Sequence, residues 1–583
     1  MTRARRSLAI LTLLAGLVAC DANTGTVVVV TLRGRLATHT PASIHVSVSN
    51  SGGTATQDFP LGADQRLPLS FTVTPTGRTG ALHIDATATF ADGQSAGRGS
   101  LDVDIVADKR VDADLAIEPD DFVVNKATPG AQVLVFDVPR AGRQLAVAPD
   151  GGFMVAFEND CGSLGRCDVL GRLFDKTASP AKNQTSLDDG DLILNQAPTY
   201  SETPSIAAGK DVYLAAWITK AQDQGQGDVR ATVLGADGGH KQSFDFDVST
   251  ATADELGPTV FALADGSFVI MWERERTAGG TRELRARLYS AAGEARVNGV
   301  THDASDFAVS AATNVNQLDA HGAGLAGGGF AVVWVTGGNV QARVFGADGT
   351  PATSDVALTS YAGATVDGPH VAATSEGFVV VWRASGGPFG QKPVFAQRFS
   401  PAATSLSTPI TVAPHTVDVL SAAASLATPS LTVRRSDGAI GVTWASCGDA
   451  GDADGCGVLF RLLRPSGQPV GGATVVNTTK SGNQTEPSIA TAADDGLLVA
   501  WSDDSHQPSD ESDSAVRARV IYPTLDRHDG VLGALCGGGA DAPCADGTLC
   551  VGDADGISIC QTQCTDACPG GGTCVNATFC SFQ

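Results

Sequence analysis

The sequence predicts an all-β fold in three parts: an N-terminal immunoglobulin-like β-sandwich, a seven-bladed β-propeller and a small disulfide-rich C-terminal module. Three observations support this prediction. A cassette ending in Trp recurs along the middle of the chain, short alternating strands precede it, and eight Cys follow residue 535. The predicted boundaries are 1–19 for an export signal, 24–118 for the sandwich, 119–130 for a linker, 131–525 for the propeller and 536–583 for the Cys-rich module.

A five-residue apolar run marks each copy of the cassette. Six runs end in the six Trp of the chain, and a seventh ends in Phe: FMVAF at 153–157, YLAAW at 213–217, FVIMW at 268–272, FAVVW at 330–334, FVVVW at 378–382, IGVTW at 440–444 and LLVAW at 497–501. Their mean spacing is about 57 residues, a period typical of repeat architectures. Consecutive apolar positions predict that both strand faces are buried, as they are between two neighbouring blades.

The other parts of the cassette predict three more strands. A Pro lies 13 to 15 residues before the Trp in five copies, and the piece after it alternates as a strand does. Turns such as Asp265-Gly266 indicate a hairpin. RARLY at 285–289 exemplifies the third strand and Thr474-Val475-Val476 the weaker fourth one. Four strands in each of seven copies is the pattern of a β-propeller.

Over about 390 residues the repeats resemble the β-propeller repeats of bacterial surface proteins. They lack the Gly-His and Trp-Asp dipeptides of WD repeats, and their Asp-Gly to Trp spacing differs from that of the sialidase Asp-box. The function of neither family can therefore be inferred for this chain.

One β-prone stretch, at 132–136, belongs to no cassette, while the seventh cassette has no obvious fourth strand after Ile521. We predict that residues 133–136 pair beside residues 517–521, complete the seventh blade and close the ring.

Five strand-like runs with turn signals between them fill residues 24–118. Short strands at this spacing predict an immunoglobulin-like sandwich, although the Cys and Trp of antibody domains are missing. We interpret it as a spacer between an anchor and the propeller. Carbohydrate binding is the alternative, but no cluster of aromatic residues favours it.

The first 20 residues combine a basic start with an apolar segment at 8–18 that is too short to span a membrane. Leu17-Val18-Ala19-Cys20 resembles the lipobox of bacterial lipoproteins. The resemblance implies that Cys20 is lipidated, with palmitate among its acyl chains, and becomes the first mature residue. It places the protein outside the cytoplasm, lipid-anchored to the bacterial cell envelope, with the outer membrane favoured over the inner. The alternative is an ordinary signal peptide in which Cys20 is incidental.

The chain is strongly acidic. Its net charge is −24, and removal of residues 1–19, which contain three Arg and no acid, leaves −27. Such a charge repels phosphate backbones, so nucleic acid is excluded as a partner. The expected partners are the membrane, through the lipid anchor, and a protein or glycan ligand that the sequence does not identify.

Without Cys20 the chain has twelve Cys, an even number that suits disulfides in an exported protein. Cys161 and Cys167 lie between the second and third strands of the first blade, and Cys447 and Cys456 occupy the same loop of the sixth. We predict one local disulfide in each loop; a metal site is disfavoured because no His is near.

The C-terminal module has too few apolar residues for a core, so disulfides must replace it. CADGTLC and CPGGGTC suggest two related halves, and the module resembles Cys-rich tails of bacterial surface lipoproteins and, loosely, EGF-like knots. A zinc site is disfavoured by spacing and compartment, and eight Cys leave 105 disulfide connectivities open. The eight are Cys536, Cys544, Cys550, Cys560, Cys564, Cys568, Cys574 and Cys580.

Few residues suggest chemistry in the propeller. His321 and His370 fall near the start of first strands and are expected to face the central channel, as solvated residues rather than as ligands or bases. Acidic turns at 449–455 and 553–556 resemble fragments of calcium loops, but they lack a distal Glu. No cofactor and no metal site are therefore predicted, with Ca²⁺ as the weaker alternative.

Arginines recur in register on the third strands, and a substrate site would not repeat around a ring. We predict that they pair with carboxylates at the blade edges. The five are Arg172, Arg287, Arg343, Arg461 and Arg519.

No catalytic residue is predicted. The leading hypothesis is a non-catalytic, surface-anchored binding or scaffold lipoprotein that acts through its propeller face or its Cys-rich tip. The rival is a propeller-type polysaccharide hydrolase or lyase with carboxylates at the channel mouth. Two carboxyl groups about 5–10 Å apart in a funnel would support the rival, whereas a channel of Ser, Thr and aliphatic residues would support the binder.

Cys20→Ser should release the protein from membranes, because the thiol that carries the acyl chains is lost. Fractionation and labelling with palmitate measure this, with Ser7→Ala as a control that keeps the lipobox. A Cys20→Ser protein that still labels and sediments with membranes would show the lipoprotein assignment to be wrong.

Overall fold

The computed structural model describes most of the chain between residues 26 and 525. The described ranges are 26–34, 41–62, 67–75, 80–90, 95–126, 130–135, 142–159, 167–176, 178–181, 190–195, 200–221, 226–242, 245–249, 251–276, 280–359, 363–386, 392–414, 416, 428–448, 455–506 and 514–525, with the backbone of 11–14, 186–187, 548–552, 558–562, 573–575 and 579–581. The regular structure in these residues is β throughout, which confirms the all-β class. No helix in this part of the chain is long and apolar enough to cross a membrane.

The chain forms two compact units, residues 1–121 with 177–179, and residues 122–176 with 180–583. The strands of the first unit are β1 Leu11–Leu14, β2 Val27–Arg33, β3 Ser43–Asn50, β4 Gly53–Pro60, β5 Leu69–Val73, β6 Gly80–Thr89, β7 Ser95–Ile105, β8 Arg110–Ala116 and β9 Glu118–Pro119. They form two sheets, of order β1-β5-β2-β8 and β4-β3-β6-β7-β9. Alternate side chains of β2 and β3 enter one hydrophobic core, which contains Val28 and Val30 from one sheet and Ile44 and Val46 from the other.

The second unit contains seven repeat sheets among its described residues, numbered here along the chain. Sheet 1 consists of β11 Gln132–Val133, β12 Leu145–Val147, β13 Phe153–Asn159, β14 Asp168–Phe174, β15 Ser186–Leu187 and β16 Asp191–Ile193; sheet 2 of β17 Tyr200–Ala208, β18 Val212–Lys220, β19 Gly227–Gly235 and β20 Phe246–Asp247; sheet 3 of β21 Glu255–Ala262, β22 Phe268–Glu275, β23 Arg282–Tyr289 and β24 Phe307–Ala308. Sheet 4 consists of β25 Leu318–Gly324, β26 Phe330–Thr336, β27 Asn339–Phe345 and β28 Val356–Ala357; sheet 5 of β29 Ala364–Thr374, β30 Gly377–Gly386, β31 Val394–Phe399 and β32 Ile410–Ala413; sheet 6 of β33 Ser430–Val433, β34 Ile440–Cys447, β35 Cys456–Leu463 and β36 Pro469–Val475. Sheet 7 consists of β37 Gln484–Thr491, β38 Leu497–Asp503, β39 Ala515–Ile521 and β10 Phe122–Val123.

The apolar runs are the second strands, and both their faces are buried, as predicted. All six Trp are at most 1% exposed, and Phe157 is fully buried. Each of six hydrophobic clusters combines two consecutive sheets, from the pair 1 and 2 to the pair 6 and 7. Each sheet therefore depends on its neighbours for burial.

The first strands form a closed ring. Each lies beside the first strand of the next sheet, and β12 of sheet 1 lies beside β37 of sheet 7. Because each of them pairs on one side only, the ring has unpaired strand edges on its inner side.

The recurring Pro marks a bulge in the first strand. Register shifts occur there in sheets 2, 3, 4, 5 and 7, and one residue of each bulge has a positive φ: Thr203 (53°), Gly257 (51°), Asp319 (51°), Gly368 (52°) and Glu486 (56°). Pro follows that residue in four of the five. A bulge tolerates Pro because the ladder of hydrogen bonds is interrupted there.

The first strand of sheet 1 is split into β11 and β12. Both pair with β13, Val133 opposite Glu158 and Leu145 opposite Val155. The two strands are separated by residues 134–144, of which 134–135 and 142–144 are described.

The predicted closing strand is wrong. Residues 132–133 belong to sheet 1, and sheet 7 is completed by β10, which pairs with β39 with Phe122 opposite Ala518. The closing strand therefore lies inside residues 119–130, which the sequence had assigned to a linker.

A sequence signal for this closure exists in the fourth strands. Residues 122–125 read FVVN, like TVVN at 474–477 and LILN at 192–195. The Asn Oδ1 in each accepts a hydrogen bond from a third-strand amide: Val516 N to Asn125 at 2.8 Å, Val458 N to Asn477 at 2.9 Å and Val169 N to Asn195 at 2.8 Å. Residues 122–125 thus have the pattern of a fourth strand, which residues 133–136 lack.

A polar network also joins sheet 7 to the split strand. Leu134 N donates to Ser502 Oγ at 2.9 Å, and Ser502 Oγ donates to Glu486 Oε2 at 2.9 Å. Val135 N donates to the same carboxylate oxygen at 3.2 Å. Burial raises the pKa of Glu486 from 4.5 to about 7, against the lowering effect of these hydrogen bonds.

The Cys447–Cys456 disulfide is confirmed, and it clips the loop between β34 and β35. Cys167 is also disulfide-bonded, while its predicted partner Cys161 lies outside the described residues.

In the C-terminal module β40 Thr548–Gly552 pairs with β41 Ser558–Thr562, and β42 Thr573–Val575 with β43 Phe579–Ser581. The register sets Cys550 opposite Cys560 and Cys574 opposite Cys580; Cys536, Cys544, Cys564 and Cys568 lie outside the described residues.

Asn125→Ala should destabilise the second unit, because Val516 N would keep a buried donor without an acceptor. Such a loss costs about 1–3 kcal/mol. Thermal or urea unfolding measures it, with Asn477→Ala as the equivalent change inside the repeats and the exposed Asn314→Ala as the control. The closing role assigned to β10 is wrong if Asn125→Ala is as stable as Asn314→Ala.

Glu486→Gln should flatten the dependence of stability on pH. The folded state raises the pKa of this carboxyl, so its contribution is complete below about pH 4.5 and is lost as the pH rises to about 7. The difference in unfolding free energy between wild type and Glu486→Gln should change by about 3 kcal/mol over that window. Melting curves at several pH values test this, and the exposed Glu294→Gln serves as the control; equal slopes for all three proteins would contradict it.

Candidate functional site

A cavity of about 310 Å³ lies within the ring of first strands. The C-terminal halves of all seven first strands line it, with small side chains such as Ala207, Ala323 and Ala373. These strand edges pair with no further strand on the inner side. Some of their backbone groups, such as Ile206 N and Val371 O, bond to Arg143, and the others can bond to whatever occupies the cavity. Its volume is at the lower end of the range of small-molecule sites, about 300–1,000 Å³.

Arg143 also lines this cavity, and it lies in the segment between β11 and β12, two residues before β12 begins. Gly142 lies close against the ring, since a Cβ there would come within 3.0 Å of Ser205 Cβ and 3.1 Å of the carbonyl oxygen of Pro258. The carbonyl oxygen of Arg143 accepts a hydrogen bond from Ile206 N at 2.7 Å, and Gln144 Nε2 donates to the carbonyl oxygen of Pro204 at 3.1 Å. The chain is thus fixed to sheet 2 on both sides of the Arg143 side chain.

The guanidinium of Arg143 crosses the ring to sheets 4, 5 and 6. Its Nε donates to His321 Nε2 at 3.2 Å, and its Nη2 donates to the carbonyl oxygens of Val371 at 3.1 Å and Leu431 at 3.4 Å. The side chain is partly exposed to the cavity. Burial lowers the pKa of Arg143 from 12.5 to about 10, which leaves it charged at neutral pH.

His321 and His370 lie beside Arg143 as a stacked pair with ring centroids 4.2 Å apart. They are 0% and 6% exposed, so the expectation of solvated channel residues is wrong. Burial, assisted by Arg143, lowers the pKa of His370 to about 3, and burial, His370 and Arg143 lower the pKa of His321 well below its ordinary value. Both rings are therefore neutral at neutral pH.

The His321 ring faces a donor at each nitrogen. Val371 N lies 3.2 Å from Nδ1, and Arg143 Nε lies 3.2 Å from Nε2. A neutral imidazole has only one acceptor nitrogen, so one of these two donors is left without a full hydrogen bond.

The cavity is cationic. Arg435, which is exposed, also lines it, together with the hydroxyl-bearing Thr432 and Thr491. No Asp or Glu is among the described residues that line it, and none of the described carboxylates lies within salt-bridge distance of Arg143 or Arg435. The described cavity therefore lacks the carboxylate pair that the hydrolase hypothesis requires.

Carboxylates are instead found towards the N-terminal ends of the first strands, where they support the bulges. Glu158 Oε1 accepts a hydrogen bond from Thr203 N at 2.6 Å, and Glu273 Oε1 accepts one from Asp319 N at 2.9 Å. In each case the residue after the Trp or Phe marker of one sheet caps the bulge of the next. These two carboxylates are 1% and 2% exposed and serve the fold.

The recurring third-strand arginines are structural, and the predicted pairing with a carboxylate is confirmed for Arg172 and Arg343. Arg172 Nη1 lies 2.9 Å from Asp191 Oδ1, and Arg343 Nη1 lies 3.5 Å from Asp355 Oδ1. Four of the five also donate from Nη1 to a carbonyl oxygen in the fourth strand of the preceding sheet or directly after it: Arg287 to Val248 at 2.8 Å, Arg343 to Val309 at 3.0 Å, Arg461 to Val412 at 2.8 Å and Arg519 to Val476 at 2.7 Å. The contact with a carbonyl of the preceding sheet, which the sequence did not predict, is therefore the one that recurs.

Other predicted sites fall mostly outside the described residues. These are Cys20 and the acidic residues of 449–454 and 553–555. The described residues hold no group of three or more His, Cys, Asp or Glu that could bind a metal ion.

One further pattern with chemical meaning is present in the first unit. Residues 93–97 read GQSAG, which matches the Gly-x-Ser-x-Gly of serine hydrolases. That motif requires a turn from a strand into a helix, whereas Ser95 begins strand β7. The pattern is therefore incidental.

No family model and no curated protein matches the chain. Solved structures similar to it include a protein of unknown function from Dyadobacter fermentans, at 9% identity over 69% of this chain and 98% of that one, with a TM-score of 0.39. An α-L-arabinanase of Penicillium chrysogenum is 13% identical over 69% and 99% of the two chains, with a TM-score of 0.37. An ulvan lyase, a polysaccharide lyase, is 10% identical over 69% and 96%, with a TM-score of 0.39.

Proposed function

We propose that residues 122–525 form a seven-bladed β-propeller and residues 26–119 an immunoglobulin-like sandwich. Seven consecutive sheets whose first strands form a closed ring support the propeller. Two sheets that share one core support the sandwich.

We propose further that the protein is a lipid-anchored, non-catalytic binding protein of the bacterial cell envelope. The observation that carries this proposal is the chemistry of the axial cavity, which offers strand edges, small aliphatic residues, two Thr and two Arg but no carboxylate among its described lining. Glycoside hydrolysis needs a pair of carboxyl groups across the scissile bond. The Cys-rich tip remains a second contact surface in this proposal.

The second candidate is a polysaccharide hydrolase or lyase, the activities named for the Penicillium and ulvan proteins. Glu486 is the observation that favours it. A carboxyl with a pKa near 7 is suited to general acid catalysis at neutral pH. Its hydrogen bonds to Ser502 and Val135 N, however, also give it a place in the closure of the ring.

A glycan array and a polysaccharide turnover assay with the Cys20→Ser protein distinguish the two candidates. The binding proposal predicts retention of a glycan, or capture of an envelope protein, without release of reducing ends or of unsaturated products. Turnover that Glu486→Gln abolishes, while Glu294→Gln retains it, would overturn the binding proposal in favour of the enzyme.

A further inference from the structure

The axial cavity contains a cation that nothing in the described chain neutralises. Arg143 donates to one imidazole and two carbonyl oxygens, and its Nη1 makes no hydrogen bond to a described residue. A charge that is partly withdrawn from water without a counter-ion is unfavourable. Two carbonyl contacts do not require a charge, since a neutral amide donor would serve them equally well.

The described surroundings add no negative charge to offset it. His321 and His370 are neutral and packed against the guanidinium, and Arg435 is a second cation on the wall of the cavity, with no ion pair among the described residues. The whole chain carries a net charge of −24. A cavity lined by two cations and by no described acid therefore has the opposite sign of charge to the chain as a whole. Such a site attracts an anion, and its low local dielectric strengthens the pairing.

The remaining wall is suited to hydroxyl groups. The inner edges of the first strands present backbone donors and acceptors, and Thr432 Oγ1 lies 3.0 Å from Thr491 Oγ1 at one side. The two Thr hydroxyls already have partners, since Thr491 Oγ1 also donates to the carbonyl oxygen of Val433 at 3.2 Å. A ligand with several hydroxyls can add hydrogen bonds to the backbone groups of the strand edges, which an apolar ligand cannot.

We propose that the axial cavity binds a small polyhydroxylated organic anion, whose carboxylate pairs with Arg143 and whose hydroxyls bond to the surrounding strand edges. The proposal rests on the binding function and names the class of its ligand. Planar guanidinium groups suit carboxylates because two N–H donors can engage both oxygens. Arg435 at the cavity wall contributes to attraction of the anion rather than to its final contacts.

Calorimetric titration of the full chain with gluconate and with sorbitol tests the proposal, since sorbitol differs from gluconate by a CH₂OH group in place of the carboxylate. Gluconate should bind and sorbitol should not. Arg143→Gln should weaken gluconate by about 10- to 100-fold, the value of a charged hydrogen bond. Arg143→Lys should recover part of that loss, and Arg296→Gln, which changes a partly buried arginine outside the cavity, should leave the affinity unchanged.

A second variant guards against misfolding of Arg143→Gln. Ala373→Phe places a large apolar side chain in the cavity from β29 and leaves both arginines in the sequence, and it should also abolish gluconate binding. No binding of gluconate, equal binding of sorbitol, or binding unchanged in both Arg143→Gln and Ala373→Phe would each overturn the proposal. Sulfate bound as tightly as gluconate would overturn the role of the hydroxyls.

Failure here can be told apart from failure of the proposed function. A chain that ignores gluconate yet retains a glycan or a protein, without turnover, keeps its binding function and loses only the cavity as its site. Polysaccharide turnover that is lost in Glu486→Gln would instead contradict the proposed non-catalytic binding function itself.

Discussion

Burial of the second strands on both faces is the constraint on which the repeats depend. An apolar run such as residues 378–382 in β30 has no polar face to present to water, so every sheet needs an apolar neighbour on each side. A linear row of such sheets would leave two apolar faces exposed at its ends. A ring removes both ends. The strand β10 has only two residues, but it completes the last sheet of the ring by pairing with β39.

The repeat itself could be predicted from the sequence because its determinants are local. The Trp positions, the apolar runs and the Pro before them each report burial or a bulge within a single cassette. Closure could not be predicted in the same way, since it depends on pairing between residues 122–125 and 515–521, which share no local pattern. The internal likeness of FVVN at 122–125 to TVVN at 474–477 was the available signal. The prediction overlooked it because proximity to the first cassette favoured residues 133–136.

The candidate site was harder to predict for a related reason. His321 and His370 were identified as channel residues, but the cation beside them, Arg143, comes from another sheet and from a position directly before β12. A side chain that occurs once cannot be inferred from periodicity. The recurring arginines show the opposite case: their register predicted a structural role correctly, because four of them contact a carbonyl oxygen of the preceding sheet from the same position of the repeat.

The sequence separation of the closing contact has a consequence for biogenesis. Asn125 meets Val516 after an interval of 391 residues, and a ribosome adding ~5–20 residues per second needs about 20–80 s to make that much chain. Throughout this time β10 has no partner, and the outer faces of the first and the growing last sheet remain uncovered. Contacts of such long range form slowly, so the nascent protein passes through a prolonged open stage in which apolar surface is available to chaperones or to neighbouring chains.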